Sequence, residues 1–299
     1  MENEKKIYEI NDPFANTLGL TVDEVRPDGL TVKVQIRSDF CNSYKAAHGG
    51  FAFSAGEIAA ELSAKLCLGR PAAAVDAACM YECSLMGKSA RIVTKLIDAA
   101  ESQIVYRVRV LDGKGKLCMS QIITLRDADV TIAPNKQFKK TIFAAGDDDP
   151  IDPVTGVAYP HLSLDFAAFN GIHVIGRGEK GLIYGLDVRE DTCDVTGAAH
   201  ASLIYTVCDC VTGGSVAFLL EKKPVTVSSS IHYLRRAVAS PIRAEARLVR
   251  NGKQLLFYNV DVLDAEDNRV AIAQFTMQSV DYNTQGNLPA DHRIHAFKD

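Results

Sequence analysis

The chain repeats itself at one fixed offset. Arg37-Ser-Asp39-Phe-Cys41 and Ala46-Ala47-His48 return as Arg189-Glu-Asp191-Thr-Cys193 and Ala198-Ala199-His200. Tyr106-x-Val108-x-Val110-Leu111-Asp112 returns as Tyr258-x-Val260-x-Val262-Leu263-Asp264. The spacing is 200 − 48 = 152 residues for the histidines, and Phe14 and Phe166, Gly19 and Gly171, Gly29 and Gly181, and Tyr81 and Tyr233 keep it. One register held over that length means two copies of one fold, each of about 150 residues and so of ordinary domain size. The expected division is a first domain over residues 1–130, a linker over 131–160 rich in acidic residues and proline, and a second domain over 161–299.

The bulk properties restrict the function classes. With 47% hydrophobic and 23% charged residues and a net charge of −4, each half can bury a core and no basic surface invites nucleic acid. The polar start Met1-Glu-Asn-Glu-Lys-Lys lacks the apolar core of a secretory signal, so the expected location is the cytoplasm. Ala201 to Leu220 is long enough to tempt a membrane reading, but it carries Asp209 and Gly213-Gly214, and a buried helix without membrane contact is expected. The eight cysteines are scattered without metal-ligand spacing, which predicts reduced thiols and no metal.

Each copy has the same order of elements. A short helical lead-in (11–18; 164–170) precedes a glycine and then an alternating segment such as Leu30-Thr-Val32-Lys-Val34-Gln-Ile36, a half-buried strand by its period of two. A polar loop then ends in His48-Gly49-Gly50 or His200-Ala201-Ser202, and an apolar run too long for a strand follows. Further strands come after it, in the second copy over 225–233, 242–249, 255–262 and 270–278, separated by turns such as Arg250-Asn251-Gly252-Lys253. One long apolar helix followed by an antiparallel meander implies an α+β fold in which a sheet wraps around the helix.

Two features can carry chemistry. His48-Gly49-Gly50 stands at the start of the long helix, where free N–H groups and the positive end of the helix dipole can receive an oxyanion; a plain turn and cap is the other reading. Asp209 is the only charged residue between Ala201 and Leu220, and Glu57 holds the same place in the first copy. Both lie about two helical turns past the loop. An acid buried in an apolar helix is either a candidate base or nucleophile, or one half of an ion pair with a neighbouring strand.

The pattern Asn42-x5-His48-Gly49-Gly50-x6-Glu57 resembles the hotdog-fold acyl-CoA thioesterases of the phenylacetate-degradation type. The resemblance implies two tandem hotdog domains packed as an intramolecular pseudo-dimer with shared active sites. One unit gives the loop, and the other gives the helix acid and a hydroxyl on the next strand. Carried over, one site combines Asn42, His48, Gly49 and Gly50 with Asp209 and Thr226. The other combines Asp194, His200, Ala201 and Ser202 with Glu57 and Ala74, losing both glycines and the hydroxyl. Asp194 and Glu57 would then repel in one pocket, so this second site is expected to be degenerate.

The implied reaction is hydrolysis of an acyl-CoA to free acid and coenzyme A, which enters as part of the substrate with no separate cofactor. In it the Gly49 and Gly50 amides polarise the carbonyl, Asp209 activates water or attacks directly, Thr226 and Asn42 hold water or carbonyl, and His48 shapes the loop. Arg235, Arg236 and Lys88 are candidates for the coenzyme A phosphates, with ordinary surface charge as the other reading. Phe51, Phe53, Tyr205 and Tyr81 suggest an apolar or aromatic acyl pocket. A hotdog dehydratase or hydratase and a non-catalytic acyl-CoA binder or sensor are the competing functions. Two such chains can pair again as a homodimer.

Overall fold

The computed structural model describes residues 8–128 and 165–280, so the expected linker lies outside the described residues. The first repeat comprises α1 (Pro13–Leu18), β1 (Thr21–Arg26), β2 (Gly29–Gln35), α2 (Gly49–Leu68), β3 (Ala72–Tyr81), β4 (Ser89–Ala99), β5 (Ile104–Asp112) and β6 (Leu117–Asp127). The second comprises α3 (Asp165–Phe169), β7 (Ile172–Arg177), β8 (Leu182–Leu186), α4 (Ala201–Leu220), β9 (Lys223–Tyr233), β10 (Ile242–Asn251), β11 (Leu255–Leu263) and β12 (Arg269–Val280). The expected element order therefore holds within each repeat.

All strands among the described residues join one antiparallel sheet in the order β1-β2-β4-β5-β6-β3-β9-β12-β11-β10-β8-β7. The second half of that order is the first half reversed, so the repeats meet along β3 and β9. The register of this seam places Ala78 opposite Ser230, with Asp76 opposite His232 and Met80 opposite Ser228. Since 230 − 78 = 152, a residue faces its own repeat copy, which puts a pseudo-twofold axis through that pair. The helices obey the same axis. Ser54 and Thr206, 152 residues apart, bring their hydroxyls to 3.3 Å, and the rings of Phe53 and Tyr205 stack at 3.4 Å between centroids.

Each long helix lies inside the curl of its half-sheet. It is covered by strands on one side and by the other helix at the axis, and so needs no wide polar face. Alternation supplies the sheet's inner surface: Tyr106, Val108 and Val110 on β5 and Ile242, Ala244 and Ala246 on β10 are buried. α4 is long and apolar enough to cross a membrane by length and composition, and 72% of that window is buried within the fold. His48 and His200 are themselves the N-caps, so the helices begin at Gly49 and Ala201. Their ends are set by left-handed residues, Gly69 at φ 68° and Glu221 at φ 52°.

The lead-in helices cross to the opposite repeat. Phe14 of α1 packs on the His200 ring at 5.5 Å, and its counterpart Phe166 of α3 packs on His48 at 5.6 Å. The Thr17 hydroxyl donates to the Asp191 carbonyl. Each histidine loop is thereby clamped by a segment from the other half of the chain.

Candidate active site

The first site forms where the start of α2 meets the middle of α4. His48 caps α2 by accepting the Gly50 N–H on Nδ1 at 3.0 Å. That leaves the ring proton on Nε2, 3.7 Å from Cys210 Sγ. Burial lowers the His48 pKa, against the opposing pull of the Asp209 charge, so a neutral ring suits the geometry. The His48 Nδ1 is thus occupied by the helix cap, which fixes the loop.

Asp209, buried to 6% exposure, reaches across the repeat boundary. Its Oδ2 accepts the same Gly50 N–H at 3.1 Å, and its Oδ1 accepts the Thr226 hydroxyl of β9 at 2.8 Å. Two donors satisfy the carboxylate at the positive end of α2, which offsets part of its burial cost. Close approach depends on glycine here: a Cβ on Gly49 would stand 2.9 Å from Asp209 Oδ2 and 3.2 Å from the Tyr81 hydroxyl.

The two glycine amides are not equivalent. The Gly50 N–H is committed to His48 and Asp209, which corrects the expectation that it polarises a carbonyl. The Gly49 N–H, first in the helix, has no acceptor among the described residues and borders the cavity. Behind it the Tyr81 hydroxyl donates to the Gly49 carbonyl at 2.9 Å and lies 3.1 Å from the Tyr205 hydroxyl, itself 2.7 Å from Ser229 Oγ. This hydroxyl chain fixes the Gly49–Gly50 peptide, which adjoins the one that presents the free amide.

Asn42 also differs from expectation in part. Its side-chain oxygen accepts the Tyr44 and Ala46 N–H groups at 3.0 and 3.2 Å and so holds the loop, leaving its NH2 for the cavity. The cavity has a volume of about 180 Å³ and is walled by Asn42, Gly49, Tyr81, Asp209, Thr226 and Gln278 among others. Of the aromatic residues expected to line it only Tyr81 does. Phe51 stacks on Phe40, and Phe53 and Tyr205 stack on each other in the core.

The repeat-related second site has a different electrostatic core. Glu57 is fully buried and accepts the Tyr233 hydroxyl on Oε2 at 2.8 Å, while its Oε1 has no partner among the described residues. Ala74 offers no hydroxyl, and the Ser202 N–H goes to His200 Nδ1 at 3.2 Å. Glu61, one helical turn beyond Glu57, occupies the space before His200: its Oε2 is 3.4 Å from His200 Nε2, and its Oε1 accepts the Ala74 N–H at 3.0 Å. Asp12 Oδ2 is 3.7 Å from the same nitrogen.

Burial, with repulsion from Glu61, raises the Glu57 pKa to about 8, only partly offset by His200 and Tyr233. Burial also raises Glu61. For His200 burial favours the neutral ring, but Asp12, Glu61 and Glu57 together outweigh it and push the pKa up to about 10.

The expected repulsion between Asp194 and Glu57 is replaced by that between Glu61 and Glu57. Asp194 instead accepts from the Thr196 and Ala198 N–H groups and pairs with Arg236 at 3.2 Å. The expected phosphate ligands do not lie at one cavity. Arg235 and Arg236 border the second cavity, away from Asp209, and Lys88 borders neither. Sequence reasoning missed Glu61 and Asp12; a second acid one turn beyond Glu57 in the apolar helix was the available signal for Glu61.

Residues 196–271, which carry Asp209, Thr226 and most of the second repeat, match the model of the thioesterase superfamily. No curated protein matches the chain. Solved structures match nearly its whole length at low identity. The tesB protein of Mycobacterium avium subsp. paratuberculosis is 13% identical, with 90% of this chain and 98% of that chain covered and a TM-score of 0.62. A protein of unknown function with a hot dog fold from Alicyclobacillus acidocaldarius is 12% identical over 90% and 98%, with a TM-score of 0.62. The acyl-CoA thioesterase II TesB2 of Mycobacterium marinum is 10% identical over 90% and 97%, with a TM-score of 0.57. At these identities the structures establish the hotdog fold, and the matched segment of the second repeat is similar to the thioesterase superfamily.

Proposed function

We propose that this chain hydrolyses acyl-CoA thioesters at the Asp209 site, with the two hotdog repeats serving as the halves of an intramolecular dimer. The observation that carries the reading is a buried carboxylate of one repeat, tethered by Thr226 and Gly50, beside the free Gly49 amide of the other. A thioester carbonyl oxygen placed on the Gly49 N–H at the α2 N-terminus gains the helix field where negative charge develops. Asp209 then takes a proton from water as that water adds to the carbonyl carbon, and the tetrahedral intermediate collapses with loss of the thiolate, which recovers the proton. Alternatively Asp209 attacks the carbonyl carbon and expels the thiolate, and water then cleaves the mixed anhydride to free acid and Asp209 carboxylate, its released proton going to the thiolate. The Mycobacterium marinum structure named as an acyl-CoA thioesterase, alike in fold, supports coenzyme A as the leaving group.

The test is release of free thiol from a panel of short, medium, long and aryl acyl-CoA thioesters. Turnover of at least one is expected. Binding of all with turnover of none contradicts the hydrolase reading.

A further inference from the structure

The second cavity is not a collapsed remnant of the first. It measures about 690 Å³ against about 180 Å³, within the range of about 300–1,000 Å³ usual for small-molecule sites. It is a cleft open to solvent, walled by α2, the loop before α4 and the ends of β3 and β9. Its inner wall is apolar, from Ile58 and Leu62 of α2, Val75 of β3 and Ile204 of α4.

Its mouth has acquired charge that the first cavity lacks. Position by position along the repeat, Ala217 becomes Lys65, Gln278 becomes Arg126, and Cys83 and Ser84 become Arg235 and Arg236. Among the described residues no lysine or arginine borders the first cavity. The acids facing the second are mostly spoken for. Asp194 pairs with Arg236 at 3.2 Å, Asp127 with Arg70 at 2.9 Å, and Glu61 and Asp12 flank His200 at 3.4 and 3.7 Å. Lys65, Arg126 and Arg235 are left without a carboxylate partner among the described residues. Meanwhile the groups that would run hydrolysis are gone: Ala74 stands for Thr226, Ala201 and Ser202 for Gly49 and Gly50, and Glu57 does not reach the cavity wall.

We propose that the second cavity is a non-hydrolytic binding site for an amphiphilic anion, with an apolar chain lodged between α2 and α4 and the anionic head at Lys65, Arg126 and Arg235. An acyl thioester bearing phosphates and a free long carboxylate share that chemistry. The proposal requires no turnover and stands whether or not the Asp209 site is a hydrolase.

Calorimetric titration of the full chain with the non-hydrolysable decyl thioether of coenzyme A, with decanoate and with coenzyme A alone tests it. The expected result is a binding event, additional to any at the Asp209 site, that the thioether or decanoate produces. Lys65→Glu with Arg235→Glu should weaken that event by about tenfold or more and leave the other unchanged. The effective ligand of the two identifies the source of the head group. Both substituted residues are exposed, so folding should persist, and thermal unfolding of each single variant checks it. The proposal is overturned by a single event indifferent to both substitutions, by no binding of either chain-bearing ligand, or by coenzyme A alone binding the site as tightly as its thioether.

Discussion

Asp209 and Glu57 occupy one repeat position and meet opposite fates, which shows how few atoms separate a usable acid from a stranded one. Asp209 is the shorter side chain, and the Gly50 amide and the Thr226 hydroxyl each take one oxygen. Glu57 finds only Tyr233. A hydrogen bond to a charged group is worth roughly 1.5–3 kcal/mol. Thr226→Val should therefore lower the thermal midpoint, and by leaving Asp209 untethered should lower kcat by about 10- to 100-fold, read by steady-state thiol release. An unchanged kcat would remove Thr226 from the mechanism. The acid, the loop histidine and the hydroxyl were legible as residue types at fixed spacing. The split between the Gly49 and Gly50 amides was not, because it depends on where a carboxylate 159 residues away comes to rest. Which cavity Arg235 and Arg236 border was not legible for a related reason: a β-strand's end names a rim but not which of two cavities it borders.

At the scale of elements, the strands and helices followed from pattern because period-two alternation and long apolar runs are local signals. Gly29 and Gly181 recur in the repeat for a reason visible only after folding. A Cβ on Gly181 would overlap the Ala246 carbonyl oxygen of β10, and one on Gly29 the Thr94 carbonyl oxygen of β4. Both obstacles are backbone and cannot swing aside. Gly181→Ala should cost about 2 kcal/mol or more, measured as a lowered midpoint in urea. The same midpoint as the parent chain would mean that β8 and β10 part without cost.

For the whole molecule, duplication lets the two sites diverge within one chain, which a homodimer of identical units cannot do. That divergence has a pH signature. Glu57, with a folded pKa of about 8, stays protonated where the unfolded chain has already ionised it, so native stability falls as pH rises from the ordinary glutamate range towards 8. His200, raised to about 10, acts in the same direction: the proton it holds stabilises the fold fully below the ordinary histidine range, and that contribution is lost as pH rises through 10. Glu57→Gln removes the first cost, on the order of 1 kcal/mol per pH unit between those limits. Its thermal midpoint should gain on the parent's as pH goes from 5 to 8, and a constant difference would contradict the assignment.

The unequal pair of sites is tested most directly by thiol release from an acyl-CoA thioester with the parent chain, Asp209→Asn and Glu57→Gln side by side. The account predicts a loss of about 100-fold or more for Asp209→Asn and a change within about twofold for Glu57→Gln. Equal losses in both variants, or full turnover by Asp209→Asn, would contradict it.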